Sequence, residues 1–390
     1  MDFTYDEEQV ALRDAVRALV GKAYSDFEQR RRTVAEEPGF DEAVWARLAE
    51  MGVLALPFAE EDGGMGAGPV EVAIVATELG RVLAPEPFLA SVVLAGGAVA
   101  KAGLPEQRAE VLGALGSGEY LLAFAHDEPE GRWTSRAAAV SATEEGGTWR
   151  LSGTKEPVLH GARADQLVVS AARADGSTGL FLVDGAAEGL DRTGYATYDG
   201  GRAAKVVLDR TPATPLGEPG TDHEETIASV LDAARLAACA EALGGMEVAL
   251  QTTTAYLRSR KQFGVTLNTF QALNFRAADM YVSLELTRSI VLWATMVLAA
   301  GDPLTARDAI RRASLQVSRA GRHIGQEAIQ LHGGIAMTAE YLVGNVTAHL
   351  TVLDHLLGDG NHHLVALTGG VDAYAALDPL DPTSRSAGSQ

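Results

Sequence analysis

Apolar positions along the first 115 or so residues recur every three to four places. In "VALRDAVRALV" and "FDEAVWARLAEMGV" they form one stripe of a helix, with Gly and Pro punctuating the gaps between periodic stretches. From about Tyr120 to Pro215 the period changes to two. Short runs such as "YLLAFAH", "TWRLSG", "QLVVSAA", "GLFLVD" and "AAKVVLD" predict strands, separated by Gly and acidic turns. After Pro219 the prolines are confined to Pro303, Pro379 and Pro382, and Ala, Leu, Glu and Arg dominate between them, a composition that predicts long helices. One of these carries Ala313, Val317, Ala320, Ile324, Ala328 and Leu331 at helical spacing and should stop at Gly333-Gly334. Another should open at Phe270-Gln271, with Asn268 and Thr269 just ahead as capping residue types.

The pattern therefore predicts a mostly α, α+β chain. It divides into an N-terminal helical domain over 1–118, an antiparallel β domain over 119–218, a C-terminal bundle of about four helices over 219–377, and a disordered polar tail over 378–390.

Composition narrows the class of function. The 390 residues hold 52 acidic and 32 basic side chains, a formal charge of -20, with Arg30-Arg31-Arg32 as the only basic block; nucleic acid and anionic membrane are poor partners for such a surface. The longest apolar run, near Ile290 to Ala300, is short for a bilayer span, and the start "MDFTYDEEQV" lacks the basic and apolar regions of a signal peptide, so a cytoplasmic location is expected. The single cysteine, Cys239, can form no internal disulfide and is expected in the core.

Two segments of the bundle carry chemistry. "YLRSRKQFGVTLNTFQ" places basic residues at a helix end and turns through Phe263-Gly264; complementing the helix dipole is the simplest role for such residues. "QEAIQLHGG" sets Gln330 one turn before two glycines whose backbone N–H groups can meet an anion, although a glycine stop alone would look the same. "LLGDGNHHL" adds adjacent histidines, His362 and His363. On a helix they diverge by about 100°, so they cannot grip one ion together, and no metal site is expected.

In this order and architecture the segments resemble the acyl-CoA dehydrogenase flavoprotein family, from the start to about residue 370. Arg260, Phe263, Gly264, Phe270 and Gln271 match its R-x-x-FG…FQ segment, and Gln330, Gly333 and Gly334 its Q-x-x-GG segment. The resemblance implies FAD as cofactor and α,β-dehydrogenation of an acyl thioester carried by CoA or an acyl-carrier protein. In the family these two segments reach across a subunit interface to the ADP half of a neighbour's FAD. The resemblance also implies polar contacts near the adenine end from Asp359 and Asn361, and contacts to the CoA portion from Asp232 and Arg235. Such chemistry needs a base at the α carbon, donors to the thioester oxygen and a flavin to accept hydride.

The base is where this chain departs. Counting from Q-x-x-GG, the family's catalytic glutamate falls on Leu357, before Gly358; the alternative position, before Arg235, falls on Ala234. Neither side chain accepts a proton, so the catalytic residue is unknown. Glu241 and Glu247 lie further along the same helix as substitutes, against the ordinary expectation that helical glutamates face solvent. In the β domain Glu128-Pro129 is kept, while Pro157 and Leu159 replace the family's flavin-contacting tryptophan and threonine.

Keeping the half that serves a neighbour and losing its own ring contacts and base fits one subunit of an α2β2 heteromer, completing the FAD site of a catalytic sister. Such degenerate subunits resemble heteromeric family members that often act on bulky or steroid-derived thioesters. Three alternatives stand beside it: an active FAD-dependent homo-oligomer with a relocated base, a flavin monooxygenase or oxidase on the same fold, and a non-redox CoA-binding chain.

Overall fold

The structure is a computed structural model that describes residues 4–369, so the expected tail at 378–390 lies outside the described residues. The N-terminal region holds helices α1 (Glu7–Ala23), α2 (Phe27–Ala35), α3 (Glu42–Glu50), α4 (Pro69–Val82), a π-helical stretch Phe88–Gly96, α5 (Gly97–Ala102) and α6 (Pro105–Gly116). Aspartates start the first three. The Asp6, Asp26 and Asp41 side chains each accept a backbone N–H of the following turn, and Asp6 with Gln9 forms a complete capping box.

Seven strands follow: β1 (Leu122–Ala125), β2 (Ser141–Glu145), β3 (Thr148–Leu159), β4 (Gln166–Ala172), β5 (Thr178–Asp184), β6 (Leu190–Ala196) and β7 (Arg202–Pro215). The sheet is not purely antiparallel as the alternation suggested. β1 runs parallel to β4 with Leu122 opposite Gln166, and a single parallel contact, Ser141 to Ala172, closes the circuit β4–β5–β7–β3–β2. Alternation encodes which face is buried and says nothing about strand direction; the long connection from 126 to 165, containing the β2–β3 hairpin, supplies the crossover that a parallel pair requires.

The C-terminal part holds α7 (Glu224–Ser259), a small hairpin of β8 (Lys261–Gln262) and β9 (Val265–Thr266), then α8 (Gln271–Ala299), α9 (Pro303–His332), α10 (Leu342–Leu356) and α11 (Gly360–Thr368). α9 ends at His332 and Gly333 adopts φ +70°, as the glycine pair predicted. The start of α8 differs from expectation. Phe270 is the N-cap residue and offers no side-chain bond, because Leu267–Thr269 form a 3₁₀ turn in which the Thr269 hydroxyl donates to the Thr266 carbonyl instead of capping.

α7 is the spine between the first and third parts. It crosses α4 at two glycines: a Cβ on Gly80 would come 2.0 Å from the Glu241 carbonyl oxygen, and one on Gly244 would come 2.1 Å from that of Thr77. Only glycine permits this approach. Cys239 is buried in the joint core of α7 and its neighbours, beside the Ser314 hydroxyl at 3.6 Å. α8 is by length and composition apolar enough to cross a membrane, a span longer than the Ile290–Ala300 run suggested. It packs on α7 and α9 through Met280, Leu284, Thr287 and Val291, while Phe275, Tyr281, Val282 and Leu286 on its outer side are more than half exposed.

Candidate functional site

Asp232 and Arg235 sit one turn apart on α7, so their side chains meet: Nη1 of Arg235 donates to Oδ1 of Asp232 at 2.8 Å. The Arg235 Nε also donates to the Leu357 carbonyl at 2.8 Å, tying α7 to the end of α10. Arg307 of α9 donates to the other Asp232 oxygen at 2.7 Å and to Glu225 at 2.7 Å. These residues, with Arg311, Trp133 and His362, line a polar cleft of about 580 Å³. Its three arginines face four carboxylates, Asp222, Glu224, Glu225 and Asp232; with Arg235 and Arg307 paired to Asp232 and Glu225, Arg311 has no ion pair among the described residues and is the guanidinium left for phosphate oxygens.

Leu357 is 7% exposed and faces a gap of only about 30 Å³, bounded by Ala90, Phe124, His126, Pro157, Leu159, Leu231 and Leu356. Ala234 is wholly buried. The glutamates weighed as substitutes are not solvent-facing as expected. Glu241 accepts from Nε2 of His349 at 2.9 Å, and Glu247 is 8% exposed, held by Arg81 and by Arg288 at 2.5 Å. Each is committed to a cation, and neither borders the Leu357 gap.

On the β side, Glu128 accepts backbone N–H groups from Ala138, Ala139 and Val140, and Nζ of the wholly buried Lys155 stands 2.8 Å from it. Lys155 also donates to the His126 carbonyl and to Ser170. Burial pulls its pKa down to about 8 despite Glu128. Burial next to this cation lowers His126 to about 4, leaving a neutral imidazole held between Ser170 Oγ and the Thr134 carbonyl, while burial raises Asp127 to about 6. Pro157 follows a cis peptide bond, and Leu159 ends β3. Pattern reading missed Trp133. At φ +64° its ring reaches across to the bundle, donating to the His355 carbonyl at 3.2 Å and meeting the His362 ring edge-on at 5.3 Å. A tryptophan within a polar turn was the available signal.

The second group of expected site residues gathers elsewhere. Arg260, Phe263, Gln271, Gln330, Gly333 and Gly334 are all exposed, Phe263 by 92%. Tyr256 in the last turn of α7 stacks 4.5 Å from the ring of His332, which ends α9, so the two motifs share one edge of the molecule. Space above Gly333 and Gly334 is open. The exposed Ile335 and Met337 continue this edge.

Asp359 and Asn361 do not join that edge. Gly360 packs on Ser318, fourteen residues before the end of α9, which is ~21 Å away at the helix rise. The carboxylate of Asp359 caps α11, accepting the His362 N–H at 2.7 Å. Asn361 is exposed beside it. The rings of His362 and His363 stand 80° apart, the first against Trp133 and the second buried.

Helices flanking a small β domain, a bundle beyond it and a cleft between them define the architecture of a flavin-dependent thioester dehydrogenase. Residues 225–366 match the model of the acyl-CoA dehydrogenase C-terminal domain, and residues 6–119 that of its N-terminal domain. The chain belongs to the acyl-CoA dehydrogenase family, whose enzymes are FAD-dependent. Acyl-CoA dehydrogenase FadE27 of Mycobacterium tuberculosis is 31% identical over 355 residues, covering 88% of this chain and 91% of that protein. Probable acyl-CoA dehydrogenase YngJ of Bacillus subtilis is 27% identical over 94% of this chain and 98% of its own length. Among solved structures, a variant of the Tcur3481-Tcur3483 steroid ACAD superposes with a TM-score of 0.84 at 33% identity, covering 94% of this chain and 98% of that one. The ChsE4-ChsE5 complex from Mycobacterium tuberculosis superposes with 0.87 at 28%, covering 96% and 100%.

Proposed function

We propose that this chain is the subunit of a heteromeric acyl-CoA dehydrogenase that lacks the α-proton base and completes the FAD site of a sister subunit, in an α2β2 tetramer acting on a bulky acyl thioester. The observation that carries it is the contrast between two sites. Where the resemblance would put flavin ring and base, Leu357, Leu356, Pro157 and Leu159 leave about 30 Å³, far below the roughly 300–1,000 Å³ of a ligand pocket. A tricyclic ring does not fit that space as it stands. The edge formed by Arg260, Phe263, Gln271, Gln330, Gly333 and Gly334 is open and carries the exposed Arg260 guanidinium and the Gln271 and Gln330 amides, which suits the phosphates and adenine of a dinucleotide held by a neighbour.

The bare outer side of α8 supports a partner, since exposed apolar patches of this kind mark interfaces. Two of the similar solved structures are titled as two-component assemblies, one of them a steroid enzyme. Asp232 and Arg235 hold the CoA portion in the arginine-lined cleft. The relocated-base alternative is disfavoured because Glu241 and Glu247 are engaged with His349, Arg81 and Arg288.

The test is the visible absorption spectrum of the chain purified alone, with FAD per chain and oligomer size measured together, and the same measurements after co-expression with a sister subunit. The proposal expects a colourless chain alone and half-occupied FAD in the mixed assembly. A yellow protein near one FAD per chain would sink it.

A further inference from the structure

Three cavities follow one another through the chain. The arginine-lined cleft of about 580 Å³ and the 30 Å³ gap share Leu231 as a wall. Across the gap, Ala90, Leu159 and Leu356 are shared with a third cavity of about 90 Å³, where the three parts of the fold meet. This last cavity has a mainly apolar wall that holds a cluster of polar groups. Its lining includes Glu86 from the N-terminal part, His160, Asp199 and Arg202 from the β part, and Glu241 and His349 from the bundle.

Three buried atoms on this lining have no hydrogen-bond partner: Oε2 of Glu86, Nδ1 of His160 and Nε of Arg202, the last facing the Glu37 carboxylate in an ion pair at 3.5 Å. Glu86 is 6% exposed, and its other oxygen accepts the Tyr24 hydroxyl. An unmet buried polar atom costs about 1–3 kcal/mol, so three on one cavity mark a place where a partner is received. The remaining charges are matched without them. His349 lies between Asp199 and Glu241, and Arg30 donates to the Leu83 carbonyl.

We propose that this cavity is a recognition subsite for the uncharged oxygen end, ketone or alcohol, of a ligand whose apolar body crosses the Leu356–Leu357 gap and whose phosphates lie in the arginine-lined cleft. The inference rests on the proposed reading of that cleft as the CoA side. A ketone oxygen accepts from Arg202 Nε and from a protonated Glu86, and an alcohol can in addition donate to His160. Burial supports the protonated acid by holding the Glu86 carboxyl up at about 7. Admitting such a body requires Leu356, at the end of α10, and Leu357, which follows it, to turn aside from the gap.

Calorimetric titration of the full chain, in its assembled form, with straight-chain acyl-CoAs and with acyl-CoAs of equal length ending in a methyl ketone tests this. At the length that reaches Glu86, the ketone thioester should bind about tenfold tighter, the equivalent of one good hydrogen bond at about 1.4 kcal/mol. Glu86→Leu should abolish that preference while leaving the straight-chain affinity in place. His160→Phe, which keeps a ring against Phe40, should lower the preference for the alcohol-ended thioester and serves if Glu86→Leu does not fold. Equal binding of ketone and straight-chain thioesters at every length overturns the subsite and leaves the CoA cleft standing, as does a ketone preference that survives Glu86→Leu. If no thioester binds, the CoA reading fails. The subsite is then decided by a decalone against decalin in thermal unfolding, stabilisation by the ketone alone keeping it and equal or absent effects overturning it.

Discussion

The imidazole of His349 bridges two carboxylates from two different parts of the fold. Nδ1 meets Asp199 Oδ2 at 2.7 Å and Nε2 meets Glu241 Oε1 at 2.9 Å, so α10 is tied at once to the turn before β7 and to α7. Both ring nitrogens facing carboxylates means the ring is a cation. Burial alone would lower its pKa, but the two hydrogen bonds and charges push it up to about 9 from the ordinary 6.5. Asp199, which burial alone would raise, is held by His349 and Thr197 well below the usual carboxylate range.

This bridge gives a signed pH dependence. The folded pKa of His349 is raised, so its contribution is whole below about 6.5 and is lost as pH climbs through about 9. The Asp199 contribution is present above 3.8 and fades only in stronger acid. His349→Gln is expected to destabilise by about 3 kcal/mol at pH 6, as for a buried pair that loses one partner. Urea unfolding of both proteins at pH 6 and pH 10 should show the difference narrowing at the higher pH; a constant difference would refute the charged bridge.

Lys155→Met should be among the most damaging single changes in the β part. It removes a cation that bonds Glu128, the His126 carbonyl and Ser170 with no solvent in reach. The loss is expected at about 3–5 kcal/mol, because a buried carboxylate keeps its charge without its counter-ion. Thermal unfolding read by near-ultraviolet circular dichroism checks it, and a loss below about 1 kcal/mol would contradict the ion pair.

Leu357→Glu restores the residue type of the family's base but places a carboxylate at a 7% exposed position in a narrow gap that Asp127 already lines. The expected result is lower stability, by about 2 kcal/mol or more, and no dehydrogenation of acyl-CoA by the chain alone. Gain of activity in the lone chain would show that a flavin ring does lie beside this position, against the proposed function.

Arg260→Ala and Gln330→Ala should lower FAD retention of a co-expressed assembly about tenfold each with the tetramer intact, since each removes one hydrogen bond, charge-assisted for the arginine, from an exposed edge. Leu286→Asp, on the bare side of α8, should instead break the assembly and leave the chain folded. Size-exclusion chromatography with FAD quantified on each peak separates the two outcomes. FAD content unchanged in all three variants would remove this edge from the cofactor site.

Local rules made much of this molecule legible in its sequence. The apolar period located α1, α3, α9 and five of the seven strands, and glycine placed the stop of α9. Strands β2 and β6 escaped because they are exposed and polar and carry little alternation, as in "SATEE" and "LDRTGYA". The motif residues from Arg260 to Gly334 were named through the family resemblance, while local rules accounted only for the helix ends beside them.

What only the tertiary structure decided was which charges meet. Asp199, Glu241 and His349 are separated by 42 and 108 positions, and Glu86 comes from a different part of the fold than His160 and Arg202. No period or spacing along a chain encodes such meetings. A glutamate on a helix has the same pattern whether it faces water or a buried imidazole. Burial and partner, and with them protonation state, are fixed only when helices, barrel and bundle close on one another, because desolvation and Coulomb energy depend on distance in space.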